Sequence, residues 1–222
     1  MPRRPLVIAI DGPSGAGKGT VARTVAERLG YRYVDTGAMY RAVAWRAQQQ
    51  GLDLSDADAV ASVARDANIA VDRGVVIDGH DVTHAIRNPQ IDAAAAIVAR
   101  HPGVRAALVA RQRQYADDGG LVMEGRDIGT VVFPTADVKL FLDASPEERA
   151  RRRAVDPAHT GGPGRDVQGV AQALEARDRS DRTRAASPLV VAPDAIYIDT
   201  TGMAVQEVVE RALSIVNEAI RQ

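Results

Sequence analysis

The sequence contains no cysteine, which excludes a disulfide framework and any thiolate metal site, and which suits a reducing compartment. Aromatic residues make up only 4% of the chain and the formal net charge is −1. It therefore has neither the stacking platforms nor the broad basic field that a nucleic-acid-binding module uses, and an anion site has to be built from local clusters of arginine. No apolar stretch approaches the ~20 residues of a membrane-spanning helix. The start, Met1-Pro2-Arg3-Arg4-Pro5, is basic, but the apolar run behind it is short and ends in Asp11-Gly12, so it does not read as a signal peptide. A soluble cytoplasmic protein is expected. Lysine is also scarce: Lys18 and Lys139 are the two in the chain, and arginine fills the other basic positions.

What is present begins with Gly12-Pro13-Ser14-Gly15-Ala16-Gly17-Lys18-Gly19-Thr20, set between an apolar run, Leu6 to Ile10, and an amphipathic segment, Val21 to Leu29. Strand, glycine loop and helix in that order, with the spacing Gly-x4-Gly-Lys, make a phosphate-binding P-loop. The glycines let backbone N–H groups turn inward around phosphate oxygens, the helix N-terminus adds partial positive charge, and Lys18 reaches the outer phosphates. The pattern departs from the general one at position 19, where Gly stands and the hydroxyl arrives one residue later, at Thr20. A direct hydroxyl ligand to magnesium is not assured by this loop, and no residue is assigned as a metal ligand.

At 222 residues and 45% hydrophobic content, one α/β domain with a covering subdomain is the natural size. Tyr31 to Asp35 reads as a strand and Thr36 to about Gln50 as a helix with Thr36 as its N-cap. After a polar turn and another helical stretch come three short alternating segments, Asn68 to Asp72, Val75 to Asp78 and Asp81-Val82, as in a small antiparallel meander. Helices from Pro89 to about Ala99 and from Val104 to Tyr115 follow. Leu121 to Glu124 is a buried-type strand running into Gly125-Arg126-Asp127-Ile128-Gly129, and Val138 to Leu142 is another. A helix over Glu147 to Arg153, a glycine-rich loop over Asp156 to Arg165, a helix from Val167 to about Ser180, a strand from Ala195 to Ile198 and a helix from Val205 to Ile220 complete the chain. The alternation predicts a parallel sheet with helices on both faces. The expected division is a core of residues 1–62, 118–155 and 181–222, an insert of residues 63–117, and a lid of residues 156–180.

A P-loop names a nucleotide site and leaves the reaction open, so the arginines decide it. Groups just past strand C-termini line the ligand crevice of a parallel sheet, which places Tyr40-Arg41 and Arg126-Asp127 opposite the P-loop and suits a second phosphate compound. Arg149, Arg151, Arg152 and Arg153 read equally as a solvated helix face or as a phosphate cluster. Arg177, Arg179, Arg182 and Arg184 alternate with Asp178 and Asp181, as a surface ion-pair ladder also would. His80, His84, His101 and His159 lack ligand spacing and read as structural or exposed. A switch GTPase needs an Asn-Lys-x-Asp segment, and neither lysine lies in one.

These residues resemble the bacterial cytidylate kinases: Ile10 to Thr20, Asp35-Thr36-Gly37-Ala38-Met39-Tyr40-Arg41, Gly125 to Pro134, Phe141 to Ser145, Glu148-Arg149-Ala150 with Arg152-Arg153, and Arg177-Asp178 through Asp181-Arg182 to Arg184. The insert is what the bacterial form adds to the common nucleoside monophosphate kinase plan. The resemblance implies a P-loop kinase fold with an NMP-binding insert and a short lid, and transfer of the ATP γ-phosphate to CMP or dCMP with Mg2+; a uridylate/cytidylate or adenylate kinase is the neighbouring alternative. It implies that Gly12 to Thr20 bind ATP, that Thr36, Tyr40, Arg41, Arg126 and Arg184 hold the CMP phosphate, that Arg105 and Asp127 read cytosine, and that Arg177 and Asp181 contact the sugar. Lys18, Arg126, Arg184 and the lid arginines Arg152 and Arg153 are the implied catalytic set. Small-molecule substrates, no nucleic-acid or membrane partner, and a monomer are expected. Thr36 stands where relatives often carry Ser, the run Ala93 to Ala96 lacks a base-contacting serine of some relatives, and Glu124 stands where some carry Asp.

Overall fold

The computed structural model describes residues 5–72, 74–117, 119–156 and 167–221. Apart from Asp156, the loop expected over residues 156–165 lies outside them, as does His159. Five strands form a parallel sheet in the order β2 (Arg32–Asp35), β6 (Leu121–Gly125), β1 (Val7–Asp11), β7 (Val138–Asp143) and β8 (Ile196–Asp199). Strand β1 is central because both of its faces are apolar, as a buried parallel strand requires. Its side chains alternate between two cores: Ile8 and Ile10 join one, Ala9 the other.

On one face, helices α1 (Lys18–Leu29) and α8 (Val205–Arg221) cover the sheet. Val21, Ala22, Val25 and Ala26 of α1 meet Val208, Val209, Ala212 and Val216 of α8. On the other lie α2 (Thr36–Gln49), α3 (Ala57–Asp66), α4 (Pro89–Val98) and α5 (Pro102–Gln114), together with a three-stranded antiparallel sheet of β3 (Ile69–Ala70), β4 (Val76–Ile77) and β5 (His80–Asp81). Two further helices, α6 (Pro146–Val155) and α7 (Val167–Thr183), pack on each other beside the sheet's C-terminal edge. Burial of each large aliphatic side chain in these cores contributes ~1.5–3 kcal/mol before entropy is counted. Among the described residues no helix is long and apolar enough to cross a membrane.

Two local expectations change. The N-cap of α2 is Asp35, whose Oδ1 accepts from Ala38 N at 3.0 Å, and Thr36 is the first helical residue. The carboxylate takes the cap because its charge also meets the helix dipole, which frees the Thr36 hydroxyl to donate to Glu124 O at 2.8 Å. Residues Ile128–Val132, to which no element was assigned, form a π-helical turn. Of the described histidines, His101 has its Nε2 2.8 Å from Leu54 O, His80 packs against Trp45, and His84 is exposed. Lys139 is structural too, since its Nζ donates to Pro134 O at 2.6 Å and to Asp194 at 2.7 Å and closes the approach to β8 against β7.

Candidate active site

The glycine loop rises from β1 and turns into α1 between two close neighbours. At Gly12, φ is +149° and a Cβ would fall 1.9 Å from Leu142 O; at Gly15, φ is +82° and a Cβ would meet the backbone of Arg149 at 2.9 Å. Only glycine fits either place. Arg149 then clamps the loop from behind. Its Nη1 donates to Ser14 O at 3.1 Å, its Nε to Ala144 O at 3.0 Å, and its guanidinium forms an ion pair with Asp178 of α7. Both side chains of that pair are buried, so at this position the solvated-face reading fails.

Lys18 opens α1 and is buried, with Nζ donating to Pro13 O at 2.8 Å. Burial, with Arg126 nearby, pushes its ammonium down to about 7. Without an anion in the loop, this amine is close to losing its charge. Glu124, at the end of β6, accepts from the Tyr33 hydroxyl at 3.1 Å; burial and the nearby Asp35 raise its carboxyl above the usual range. Asp35 is half-buried, and Arg41 at 2.8 Å and Arg87 at 3.3 Å outweigh its desolvation and hold its carboxyl low.

The Arg126-Asp127 pair is presented by Asp11. Its two carboxylate oxygens accept from Ile128 N at 2.8 Å and Gly129 N at 2.7 Å, which anchors the segment after β6 to the end of β1. Burial pushes Asp11 up to about 6 despite these bonds. Arg126 Nε donates to Asp181 of α7 at 2.9 Å. Asp127 is buried, paired directly with Arg105 of α5 and lying 3.6 Å from Arg184, while Arg105 also stacks over the Tyr40 ring at 5.5 Å.

These groups surround one cleft of ≈ 1020 Å³, lined by eight cationic side chains and four carboxylates. That imbalance makes it a receptor for anions. Arg41 Nε, Arg105 Nε and Arg184 Nη2 are buried and make no hydrogen bond to any described residue, so donors are held ready there. All nine acceptor-side residues line the cleft, namely Thr36, Tyr40, Arg41, Arg105, Arg126, Asp127, Arg177, Asp181 and Arg184. So do Ser14, Gly15, Gly17, Lys18, Gly19, Thr20 and Arg153. Gly12, Pro13 and Ala16 do not line it: Gly12 lies against Leu142, Pro13 O accepts from Lys18, and Ala16 O accepts from Thr200 Oγ1 at 3.4 Å. Arg152 is turned away: it donates to Thr200 Oγ1 at 2.9 Å, Thr200 O at 2.7 Å and Glu148 Oε1 at 2.8 Å, close behind Gly17. Asp11, Asp35, Arg149 and Asp178 stood inside quoted motifs without a site role assigned to them, and Arg87 stood in none.

A family model described as cytidylate kinase matches residues 8–218. A cytidylate kinase of Geobacillus kaustophilus is 50% identical, with 98% of this chain and 99% of the relative covered. One of Desulfitobacterium hafniense is 48% identical over 98% of this chain and 95% of its own length. Among solved structures, a gluconokinase from Sinorhizobium meliloti superposes with a TM-score of 0.54 at 15% identity, covering 99% of this chain and 95% of the other, a likeness of fold alone.

Proposed function

The chain belongs to the cytidylate kinase family, and from that premise we propose that its cleft transfers the γ-phosphate of ATP to CMP or dCMP, giving ADP and CDP or dCDP. The observation that carries this reading is the cleft itself, which has a P-loop lysine on one side, a buried Arg105–Asp127 pair on the other and a surplus of arginines around it. An oxygen of the CMP phosphate attacks the γ-phosphorus while the bond from that phosphorus to the β–γ bridging oxygen breaks and ADP leaves. The attacking oxygen is already ionised at neutral pH, so the protein's task is positioning and charge neutralisation rather than covalent help.

The residues take these roles. Backbone N–H groups of the cleft-lining part of the loop, Ser14, Gly15 and Gly17 to Thr20, cradle the ATP phosphates, and Lys18 follows the charge that shifts between β- and γ-oxygens. Thr36, Tyr40, Arg41, Arg126 and Arg184 hold the CMP phosphate, Arg177 and Asp181 the sugar. Arg153 meets the transferred group from the lid side, and Arg152 braces the loop through Thr200. Cytosine enters between Arg105 and Asp127, exchanging their mutual bond for one from N4 to Asp127 and one from Arg105 to N3 or O2. The working division is the core, the insert of residues 63–117 and the lid of residues 156–180, in a cytoplasmic monomer.

Magnesium fits the donors present. It favours one or two carboxylates together with water and substrate phosphates, and among the described residues no group of three or more potential ligands forms a protein cage. A Cβ at Gly19 would fall 3.0 Å from Glu124 Oε1, so the carboxylate occupies the space that a hydroxyl-bearing side chain takes in other P-loops. Glu124, with Asp35 beside it, is the group that would hold the hydrated ion. Bound there with ATP, magnesium supplies charge neutralisation at the phosphate oxygens.

ADP release measured in a coupled assay across CMP, dCMP, UMP, AMP and GMP tests the proposal, with rapid turnover expected for the cytosine nucleotides. In the same assay Asp127→Asn should lose activity on CMP and narrow the CMP/UMP ratio of kcat/KM by at least roughly tenfold, because the carboxylate accepts from N4 and confronts the O4 of uracil unpaired. Equal turnover of AMP or UMP by the parent enzyme would overturn the assignment.

A further inference from the structure

Asp92 stands alone among the alanines of α4, yet three arginines from three other helices converge on it. Arg153 Nη2 of α6 lies 2.5 Å from its carboxylate, Arg177 Nη1 of α7 3.5 Å, and Arg41 Nη1 of α2 3.9 Å. All three arginines line the nucleotide cleft, whereas Asp92 lines the adjoining apolar cavity between α4 and α7, of ≈ 1030 Å³. Its carboxylate therefore holds the cleft's cations from behind. Among the described residues, the ion pairs that tie α4 to α6 and α7 all end on this one side chain.

The chemistry of that position is the chemistry of a bound phosphate. Several guanidinium groups gathered on one oxyanion repel one another once it is removed, so they need an anion between them in every state of the enzyme. Burial already pushes Arg153 down to about 10 and lowers Arg177. An incoming nucleotide can take the same donors, its phosphates, with more charge and more acceptor oxygens than a carboxylate, drawing Arg41 and Arg153, and its sugar Arg177.

We propose that Asp92 is an internal counter-ion that stands in for substrate phosphate, holding Arg153 and Arg177 against α4 in the nucleotide-free enzyme and yielding them, with Arg41, when nucleotide binds. The proposal rests on the phosphotransfer reading of the cleft. Asp92 is a positioning residue: it sets the arginines before the substrate arrives, and it opposes substrate binding by competing for them. Removing its charge while keeping its shape should loosen the empty enzyme and tighten substrate binding.

The absence of cysteine makes the test clean, because labels placed through Ile97→Cys on α4 and Glu175→Cys on α7 would be the only thiol labels in the chain. Distance distributions between them are measured without ligand and with CMP plus a non-hydrolysable ATP analogue, in the otherwise unchanged protein and with Asp92→Asn or Asp92→Glu. The expected result is a longer and broader ligand-free distribution in Asp92→Asn that contracts to the parent's when both nucleotides bind. It should be accompanied by a KM for CMP lowered by about fivefold, the upper end of what a partly screened ion pair contributes, with kcat changed less. Asp92→Glu should restore the parent's behaviour. An Asp92→Asn enzyme with the parent's ligand-free distances, or with an unchanged or raised KM, overturns the proposal. A purely structural role would lower thermal stability without moving KM. Failure of the parent to make ADP from CMP would instead strike the phosphotransfer reading, while the ligand-free distances would still judge Asp92.

Discussion

At Lys18 the protein keeps a buried amine that it will need charged. Burial and Arg126 lower its pKa from 10.5 to about 7, so at pH 8 the empty site holds it mostly neutral. Between those two values the unfolded chain binds the proton that the folded chain has released, so this residue makes stability rise with pH across that window. The phosphates of ATP reverse the preference by placing negative charge beside the amine. At pH 8, ATP binding should therefore draw in up to about one proton, seen as a binding heat that varies with the ionisation enthalpy of the buffer. Lys18→Met should abolish that variation, and Lys18→Ala should lower kcat by about 10³-fold or more if the charge acts chiefly in the transition state. Buffer-independent heats with the parent enzyme would mean that Lys18 is already charged before ATP arrives.

Among the helices, α6 is tied to the P-loop by one buried arginine. Arg149 joins its start to the P-loop carbonyl of Ser14 and to Asp178 of α7. Arg149→Met leaves Asp178 as an uncompensated buried charge, which should cost about 3–5 kcal/mol in urea denaturation; adding Asp178→Met should recover most of that loss, since an apolar pair of similar volume avoids the desolvation. A double variant no more stable than the single one would show that the ion pair does not position the helix. Such pairs also mark the limit of what could be read from the chain. The P-loop, the Arg126-Asp127 turn and the five sheet strands are local patterns, and all appear where spacing and apolar runs put them. Arg149 and Asp178 are 29 residues apart and Asp92 and Arg177 are 85; Arg149 lies in a segment that reads equally as a solvated helix face, and Arg177 in one whose alternation a surface ion-pair ladder also has. The π-helical turn was hidden for the same reason. Asp11, more than a hundred residues earlier, takes the N–H groups of Ile128 and Gly129, and Val132 N and Phe133 N then reach back five residues, to Asp127 O at 3.2 Å and Ile128 O at 2.7 Å.

Across the whole molecule, the two large cores lie on opposite faces of one sheet, and the insert has no core of its own. Ile77 of β4, Ile91 of α4 and Leu108 of α5, all within residues 63–117, belong to the same cluster as Val43 of α2, Val60 of α3 and Met123 of β6. By contrast α6 and α7 share a small cluster whose buried members, among the described residues, are Ala150, Val170 and Leu174. Protection against amide hydrogen exchange should divide accordingly. Helices α2 to α5 and the five-stranded sheet should exchange through a single global opening, while α6 and α7 exchange through a smaller one that leaves the rest folded. The division would fail if a destabilising Val43→Ala changed protection only in α2 to α5 and spared β6. If it holds, the insert cannot be lost separately from the catalytic sheet, and the arginines of α6 and α7 ride on the part of the molecule that opens at the least free energy.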